Sequence, residues 1–142
     1  MRRGSKKRVL IVDNNERVLW TLQALLEDAG CDTRTTWSGL EALGLLATKD
    51  FDVLLVDDYL PDLHAKDFLE RVGRLPRQPW IVVMQCSTPR PGDLRRYESL
   101  GAAAVVDKGE PTKIREAVVS QIVAEPLAKP LPQEGPGGAI RS

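Results

Sequence analysis

The segment Val53-Leu54-Leu55-Val56-Asp57-Asp58-Tyr59-Leu60-Pro61 contains the central strand of the predicted fold. Its first four residues are apolar and partly β-branched, which is typical of a strand buried on both faces of a parallel sheet. An acidic residue and a loop with a proline follow, so Asp57 is predicted to lie at the carboxyl end of this strand. In open α/β sheets that edge forms the ligand crevice, because helix amino ends point into it.

Strands and amphipathic helices alternate along the rest of the chain. The predicted strands span residues 8–12, 32–36, 53–57, 80–84 and 103–106. The predicted helices lie between Asn15, a candidate N-cap, and Gly30, then over 38–48, around 68–72, over 93–100, and from Pro111 to about residue 124. Strict alternation implies right-handed crossovers. We therefore predict a flavodoxin-like (βα)5 fold, a doubly wound parallel five-stranded sheet in the order 2-1-3-4-5.

Composition limits the domain organisation and the class of partner. The 142 residues carry 20 basic and 20 acidic side chains, so no net field favours nucleic acid or an anionic membrane. The two cysteines have no metal-ligand spacing, and no apolar run reaches the length of a membrane span, which indicates a cytoplasmic protein. We predict a flexible basic N-terminus over residues 1–7, one domain over 8–124 and a flexible Pro/Gly-rich tail or linker over 125–142.

Three predicted strand ends carry the chemistry. Asp13 and Asn14 follow the first strand, Asp57 ends the third, and Lys108 follows the fifth. In a flavodoxin-like order the first and third strands are neighbours, so these side chains converge in one crevice. Carboxylate and amide oxygens suit Mg²⁺, and an ammonium group can neutralise phosphoryl oxygens. The carboxylate of Asp57 is then the candidate nucleophile of an in-line phosphoryl transfer.

Enzymes of two other classes fit the sequence poorly. A haloacid-dehalogenase-like phosphatase needs a second acid two residues after the nucleophile, and that position is Tyr59. A dinucleotide-binding domain needs a glycine-rich turn after the first strand, and residues 13–17 contain no glycine. Neither class is therefore predicted.

The ordered set of motifs resembles the receiver domain of two-component response regulators over roughly residues 7–124. The matching pieces are Val9 to Asp13, Leu55-Val56-Asp57 followed by Pro61, Gly39 with Ala42-Leu43, Gly101-Ala102, and Lys108. The resemblance implies a signalling domain that takes a phosphoryl group from a histidine kinase or phosphotransfer protein onto Asp57. It implies no enzyme activity beyond self-catalysed aspartyl phosphorylation and dephosphorylation. An unknown downstream protein is the expected partner, and a homodimer is possible.

The resemblance also assigns the individual site residues. The expected Mg²⁺ ligands are Asp13, Asn14, Asp57 and the backbone carbonyl of Tyr59. Asn14 stands where the family usually has an acid, so Mg²⁺ affinity is expected to be weak. Lys108 is expected to bind the phosphoryl group. For the hydroxyl residue of the fourth strand the sequence leaves three alternatives, Gln85 or Cys86 first and Ser87 as a minor option.

Several departures from the family pattern predict atypical switching. Val105 replaces the usual aromatic of the fifth strand, and Gly109 replaces the proline after the lysine. We therefore expect a phosphoryl group to cause only small changes on the surface that bears Arg95, Arg96, Lys113 and Arg115. The alternative is a degenerate receiver that acts as a phosphorylation-independent interaction module. Asp58 is expected to cap a loop, and His64 to be an ordinary solvated residue.

Overall fold

The computed structural model describes residues 6–128 of the chain. Five parallel strands form one sheet in the order β2-β1-β3-β4-β5. In chain order the strands are β1 (Arg8–Val12), β2 (Asp32–Thr36), β3 (Val53–Asp57), β4 (Trp80–Gln85) and β5 (Ala104–Asp107). The helices are α1 (Glu16–Asp28), α2 (Gly39–Thr48), α3 (Ala65–Val72), α4 (Pro91–Glu98) and α5 (Pro111–Ala128). The predicted fold class and strand order are confirmed.

The central position of β3 follows from its composition. Every residue of β3 is buried, because β1 and β4 pair with its two edges and helices cover both faces. Val12 lies opposite Val56 and Asp57 lies opposite Met84, so the carboxyl ends of these strands align. The polar strand β2 pairs only with β1 and forms an edge, as its composition predicts.

Two apolar cores lie on opposite faces of the sheet. One lies beneath α1 and α5, and its fully buried members include Leu22, Leu26, Leu55, Met84 and Ile114. The other lies beneath α2, α3 and α4 and includes Ala42, Leu46, Val56, Phe68 and Tyr97. Residues alternate between the two cores along each strand, because successive side chains point to opposite faces.

Side-chain caps define where three helices begin. Asn15 accepts from the amides of Arg17 and Val18 at 2.9 and 3.3 Å, which confirms it as the N-cap of α1. Ser38 caps α2 by accepting from the amide of Glu41 at 3.0 Å. The expectation for His64 was incomplete. It is exposed, but its Nδ1 accepts from the amide of Lys66 at 3.3 Å and caps α3.

Several element boundaries differ from the prediction. β4 continues to Gln85, and α4 begins at Pro91 because proline fits the first helical turn. α5 continues to Ala128. Residues 125–128, the first part of the predicted tail, are therefore helical. The rest of that tail and residues 1–5 of the predicted N-terminus lie outside the described residues.

Candidate functional site: an acidic crevice at the carboxyl edge of the sheet

A shared ammonium group joins the two acids that the sequence predicts at this edge. The Nζ atom of Lys108 lies 3.0 Å from Asp13 Oδ2 and 3.0 Å from Asp57 Oδ2. The carboxylates extend from the ends of β1 and β3, and Lys108 follows β5. The amide of Asn15 donates to Asp13 Oδ1 at 2.8 Å. The structure thus brings together three residues separated by up to 95 positions in sequence.

Burial governs the electrostatics of this cluster. Asp13 and Asp57 are 0% and 2% exposed, and burial raises the pKa of both carboxyls above their ordinary value, although hydrogen bonds to Lys108 lower it. Burial alone would lower the pKa of Lys108, but hydrogen bonds to the two acids outweigh it and raise that pKa. Two carboxylates share one ammonium group, so the cluster has a surplus of negative charge. A second cation would relieve it.

Asn14 and Tyr59, whose neutral oxygens are predicted to complete a metal site, are exposed residues beside Asp13 and Asp57. Asn14 is exposed, and Tyr59 is 67% exposed while its backbone amide donates to the Asp57 carboxylate. Within residues 6–128, no group of three or more His, Cys, Asp or Glu side chains could hold a metal ion. Two acids with an amide and a carbonyl suit Mg²⁺, which prefers oxygen ligands and keeps several waters, but they supply little charge.

The three candidates at the end of β4 lie in different environments. Gln85 is the last residue of β4 and is 5% exposed, whereas Cys86 and Ser87 are exposed in the loop that follows. The backbone carbonyl of Gln85 accepts from the amide of Lys108 at 2.8 Å. Gln85 is therefore the one candidate with a buried side chain, and its amide donates to Ser87 and Asp93, whereas the residue that lies opposite Asp57 in the sheet is Met84.

A second cleft lies beside the acidic cluster and was not predicted from the sequence. It has a volume of about 310 Å³, and its lining residues are Asp58, Gln85, Cys86, Ser87, Arg90, Asp93 and Arg96. Asp58 is half-buried and its amide donates to the carbonyl of Met84 at 2.9 Å, which fixes the loop after β3 against β4. The cleft brings together residues from this loop and from the start of α4, which no local pattern connects.

The loop after β3 also contains an exposed acid that the sequence interpretation missed. Asp62 accepts from the hydroxyl of Ser38 at 2.7 Å and from the amides of Gly39 and Leu40 at 3.0 and 3.1 Å. The hydrogen bond from Ser38, followed by those from the two amides, holds the pKa of Asp62 below its ordinary value. We call Ser38, Asp62 and the first two amides of α2 the capping cluster. An acid directly after a proline is common in loops, so the sequence around Asp62 does not predict its contacts with α2.

The fold and the site define a class of protein. A five-stranded parallel sheet in this order is characteristic of flavodoxin-like domains, which bind ligands at the switch point between β1 and β3. In this chain two buried acids and a lysine lie at that edge. The sequence model of the response regulator receiver domain matches residues 9–119. The chain therefore belongs to the response regulator receiver domain family of two-component signalling.

Individual proteins support this assignment. The polar-differentiation response regulator DivK of Brucella ovis is 28% identical over 124 residues, which cover 87% of this chain and 88% of that protein. The CheY-like receiver domain protein of Methanospirillum hungatei has a TM-score of 0.77 at 23% identity over 86% of this chain and 98% of that one. The receiver domain of a Vibrio parahaemolyticus Luxo repressor protein has a TM-score of 0.78 at 15% identity over 87% and 95%. These two structures share the fold.

In the part of the chain from residue 6 to residue 128, no helix is both long enough and apolar enough to cross a membrane.

Proposed function

We propose that the domain accepts a phosphoryl group on Asp57 from the phosphohistidine of a histidine kinase or phosphotransfer protein. The observation that carries the proposal is the position of Lys108, whose ammonium lies 3.0 Å from both Asp13 and Asp57 at the carboxyl ends of β1 and β3. Membership of the receiver family supports the same assignment. The domain is then a signalling protein rather than an enzyme with an external substrate.

The transfer uses groups that the crevice provides. A carboxylate oxygen of Asp57 attacks the phosphorus of the donor in line, the bond between phosphorus and the donor's imidazole nitrogen breaks, and the imidazole leaves with the electron pair. The product is an aspartyl phosphate on Asp57. Lys108 neutralises negative charge on the phosphoryl oxygens, and its hydrogen bond to Asp57 favours the ionised, nucleophilic carboxylate.

The surplus negative charge of the cluster fits Mg²⁺. Asp13, Asp57, the carbonyl of Tyr59 and the amide oxygen of Asn14 would hold the ion, which supplies charge neutralisation for the transferring phosphoryl group when it is bound. Because Asn14 is neutral, we expect weak Mg²⁺ binding. Of the residues near the end of β4, Gln85 is the candidate to donate to a phosphoryl oxygen, with Cys86 and Ser87 as exposed alternatives.

Partners and location follow from this assignment. A phosphohistidine protein donates the group, and an unknown downstream protein reads the state of the domain. Because the opposite charges balance, the domain itself needs neither nucleic acid nor membrane as a partner. We place the protein in the cytoplasm, where such donors act, and a homodimer is compatible with the fold. Residues 8–124 form the receiver domain.

A second function is favoured by one specific observation. Asn14 is a neutral residue at a metal-ligand position, so it adds no negative charge to two carboxylates that Lys108 already partly neutralises, which weakens the attraction for Mg²⁺. A receiver that no longer takes up phosphate would act as a phosphorylation-independent interaction module. It would bind its partner equally well with and without a phosphodonor.

One experiment separates the two functions. The purified protein is incubated with Mg²⁺ and a small phosphodonor such as acetyl phosphate, and the intact mass is recorded before and after acid or hydroxylamine treatment. Phosphoacceptance predicts one labile phosphoryl group in the wild type and none in Asp57→Asn, which keeps the shape of the side chain. Uptake that persists in Asp57→Asn would refute the assignment of the acceptor, and no uptake in the wild type would favour the interaction module.

A further inference from the structure

The outer edge of β2 presents backbone hydrogen-bonding groups to the surface of the domain. In the part of the chain that the structure describes, β2 pairs with β1 only. The amide of Asp32 donates to the carbonyl of Lys7 at 2.8 Å, so Asp32 and Arg34, two positions on, direct their backbone groups toward β1. Because backbone groups alternate along a strand, Thr33 and Thr35 direct theirs outward, where an edge strand can pair with another chain.

The middle of this edge is accessible. Asp32 and Arg34 are exposed, and together with Thr33 they line a cleft of about 460 Å³ at the surface. Gln23 of α1 donates to the hydroxyl of Thr33 at 3.2 Å, and that hydroxyl donates to Glu27 at 2.7 Å. Helix α1 therefore lies over one face of β2 and does not take up the outward backbone groups of its edge.

The charges of β2 select one way to pair two copies of this strand. Asp32 and Arg34 lie on the same face of the sheet, and neither forms an ion pair with another residue between positions 6 and 128. In an antiparallel pair centred on Thr33, Asp32 of each copy lies opposite Arg34 of the other. A pair centred on Asp32 or on Arg34 would bring like charges together.

We propose that two copies of the chain associate through β2, in an antiparallel pair with its twofold axis at Thr33. The two threonines exchange their outward N–H and C=O groups, and the ion pair between Asp32 and Arg34 occurs twice because the interface is isologous. The proposal goes beyond phosphoacceptance and does not depend on it. The carboxyl edges of the two sheets point in opposite directions, so the crevice around Asp57 stays open in both copies.

Helix α1 adds apolar area to this interface. Trp20 is 61% exposed and lies on the same side of α1 as Gln23 and Glu27, which contact β2. The twofold axis places the two α1 helices on one face of the joined sheets, where each Trp20 lies toward the second copy. Because a pair of five-residue strands is small and its ion pairs are exposed, we expect a weak dimer that high salt dissociates.

The first test measures the dissociation constant of the dimer by analytical ultracentrifugation of the full chain. Asp32→Arg turns each ion pair into two opposed arginines, and Arg34→Asp turns it into two opposed acids. Each variant should raise the Kd by at least about tenfold, whereas the double variant Asp32→Arg/Arg34→Asp should return to within about threefold of wild type. Glu70→Arg is the control, because it makes the same change of charge at an exposed position of α3.

Mixing the two single variants separates loss of the interface from loss of the fold. An equimolar mixture of Asp32→Arg and Arg34→Asp restores both ion pairs between unlike chains, so it should form a heterodimer although each variant alone is monomeric. A monomeric mixture would overturn the proposal. So would a wild type that stays monomeric at millimolar concentration, or single variants that dimerise as tightly as the wild type.

The second test locates the interface by amide hydrogen exchange at low and high protein concentration, without a phosphodonor. The outward amide of Thr33 should exchange at least about tenfold more slowly in the dimer, whereas the amide of Arg34, which already bonds to β1, should not change. Asp32→Arg should show no dependence on concentration at Thr33. A dimer in which the exchange of Thr33 equals that of the monomer would place the interface elsewhere and overturn the proposal.

Discussion

The buried acids Asp13 and Asp57 and the exposed acid Asp62 lie at the same edge of the sheet, and their ionisation has opposite effects on the stability of the fold. Asp13 and Asp57 are buried around Lys108, and burial raises the pKa of both carboxyls. Asp62, in the loop that follows β3, belongs to the exposed capping cluster, where the hydroxyl of Ser38 and two amides lower its pKa. Only four residues thus separate an acid that is held at an energetic cost from one that stabilises the fold.

The sign of each effect follows from proton linkage. A carboxyl whose pKa is raised on folding binds protons more tightly in the folded state, so its ionisation lowers stability as pH rises above the unfolded value of about 3.8. A carboxyl whose pKa is lowered stabilises the fold above that value, and this stabilisation is lost as pH falls through the folded pKa. Ionisation of Asp13 and Asp57 therefore lowers the stability of the fold but provides the charged groups of the site. Ionisation of Asp62 stabilises the fold and fixes the loop that follows β3 against α2.

Removing the ammonium group shared by Asp13 and Asp57 should change the free energy of unfolding more than substitution of any single acid at this edge. Lys108→Met leaves two buried carboxylates without their partner, so we expect the free energy of unfolding at pH 7 to fall by about 3–5 kcal/mol. Mg²⁺ should restore part of the loss, because it supplies the missing positive charge. Urea unfolding with and without Mg²⁺ measures both. The exposed Lys113→Met is the control, and a loss below about 1 kcal/mol in Lys108→Met would contradict a role for Lys108 in holding the acids.

Neutralising the phosphoacceptor should stabilise the protein. Asp57→Asn removes a buried charge that is only partly compensated, so the free energy of unfolding at pH 7 should rise by about 1–3 kcal/mol. The gain should shrink as pH falls through the raised folded pKa of Asp57, because the wild-type carboxyl then becomes protonated in the folded state. Urea unfolding across this pH range tests the sign. Asp28→Asn at the exposed end of α1 should change stability by less than about 0.5 kcal/mol, and a destabilised Asp57→Asn would reverse the interpretation.

A third carboxylate at the metal site, introduced at residue 14, should tighten Mg²⁺ binding. Asn14→Asp adds a negative oxygen ligand, and we expect the Kd for Mg²⁺ to fall by about tenfold, or ~1.4 kcal/mol. Calorimetric or fluorescence titration measures this change. The matched control is Asn15→Asp, because residue 15 uses its side chain to cap α1 and should change the affinity far less. Equal affinities for wild type and Asn14→Asp would show that residue 14 does not face the ion.

The smallest effect is expected in the capping cluster. Asp62→Ala leaves the first amides of α2 without their carboxylate, so the free energy of unfolding at pH 7 should fall by about 1 kcal/mol. The difference from wild type should shrink as pH falls through the lowered pKa of Asp62, because protonation removes the ionic part of these hydrogen bonds. Asp62→Asn should keep the part of the stability that a neutral acceptor oxygen supplies and should lack the pH-dependent part. A difference that is unchanged under acidic conditions would exclude the charge as its cause.

The sequence alone determined the fold and the convergence of the main site residues. Apolar runs of strand length alternate with helical periodicity, and this pattern requires a parallel sheet whose strand ends meet at one edge. Asp13, Asp57 and Lys108 each follow a strand directly, so their meeting depends on topology and not on fine geometry. The cap of α1 by Asn15 was equally local and is also found in the structure.

Only the tertiary structure decided which side chains point where within that edge. The sequence left Gln85, Cys86 and Ser87 as alternatives, because the end of a strand is uncertain by a residue and one residue reverses the face that a side chain occupies. It gave no sign that Asp62 caps a helix that begins 23 residues earlier or that Gln85 bonds to Asp93. Such hydrogen bonds need atoms of separate elements within about 3 Å, a condition set by packing in three dimensions and not by the spacing of residues along the chain.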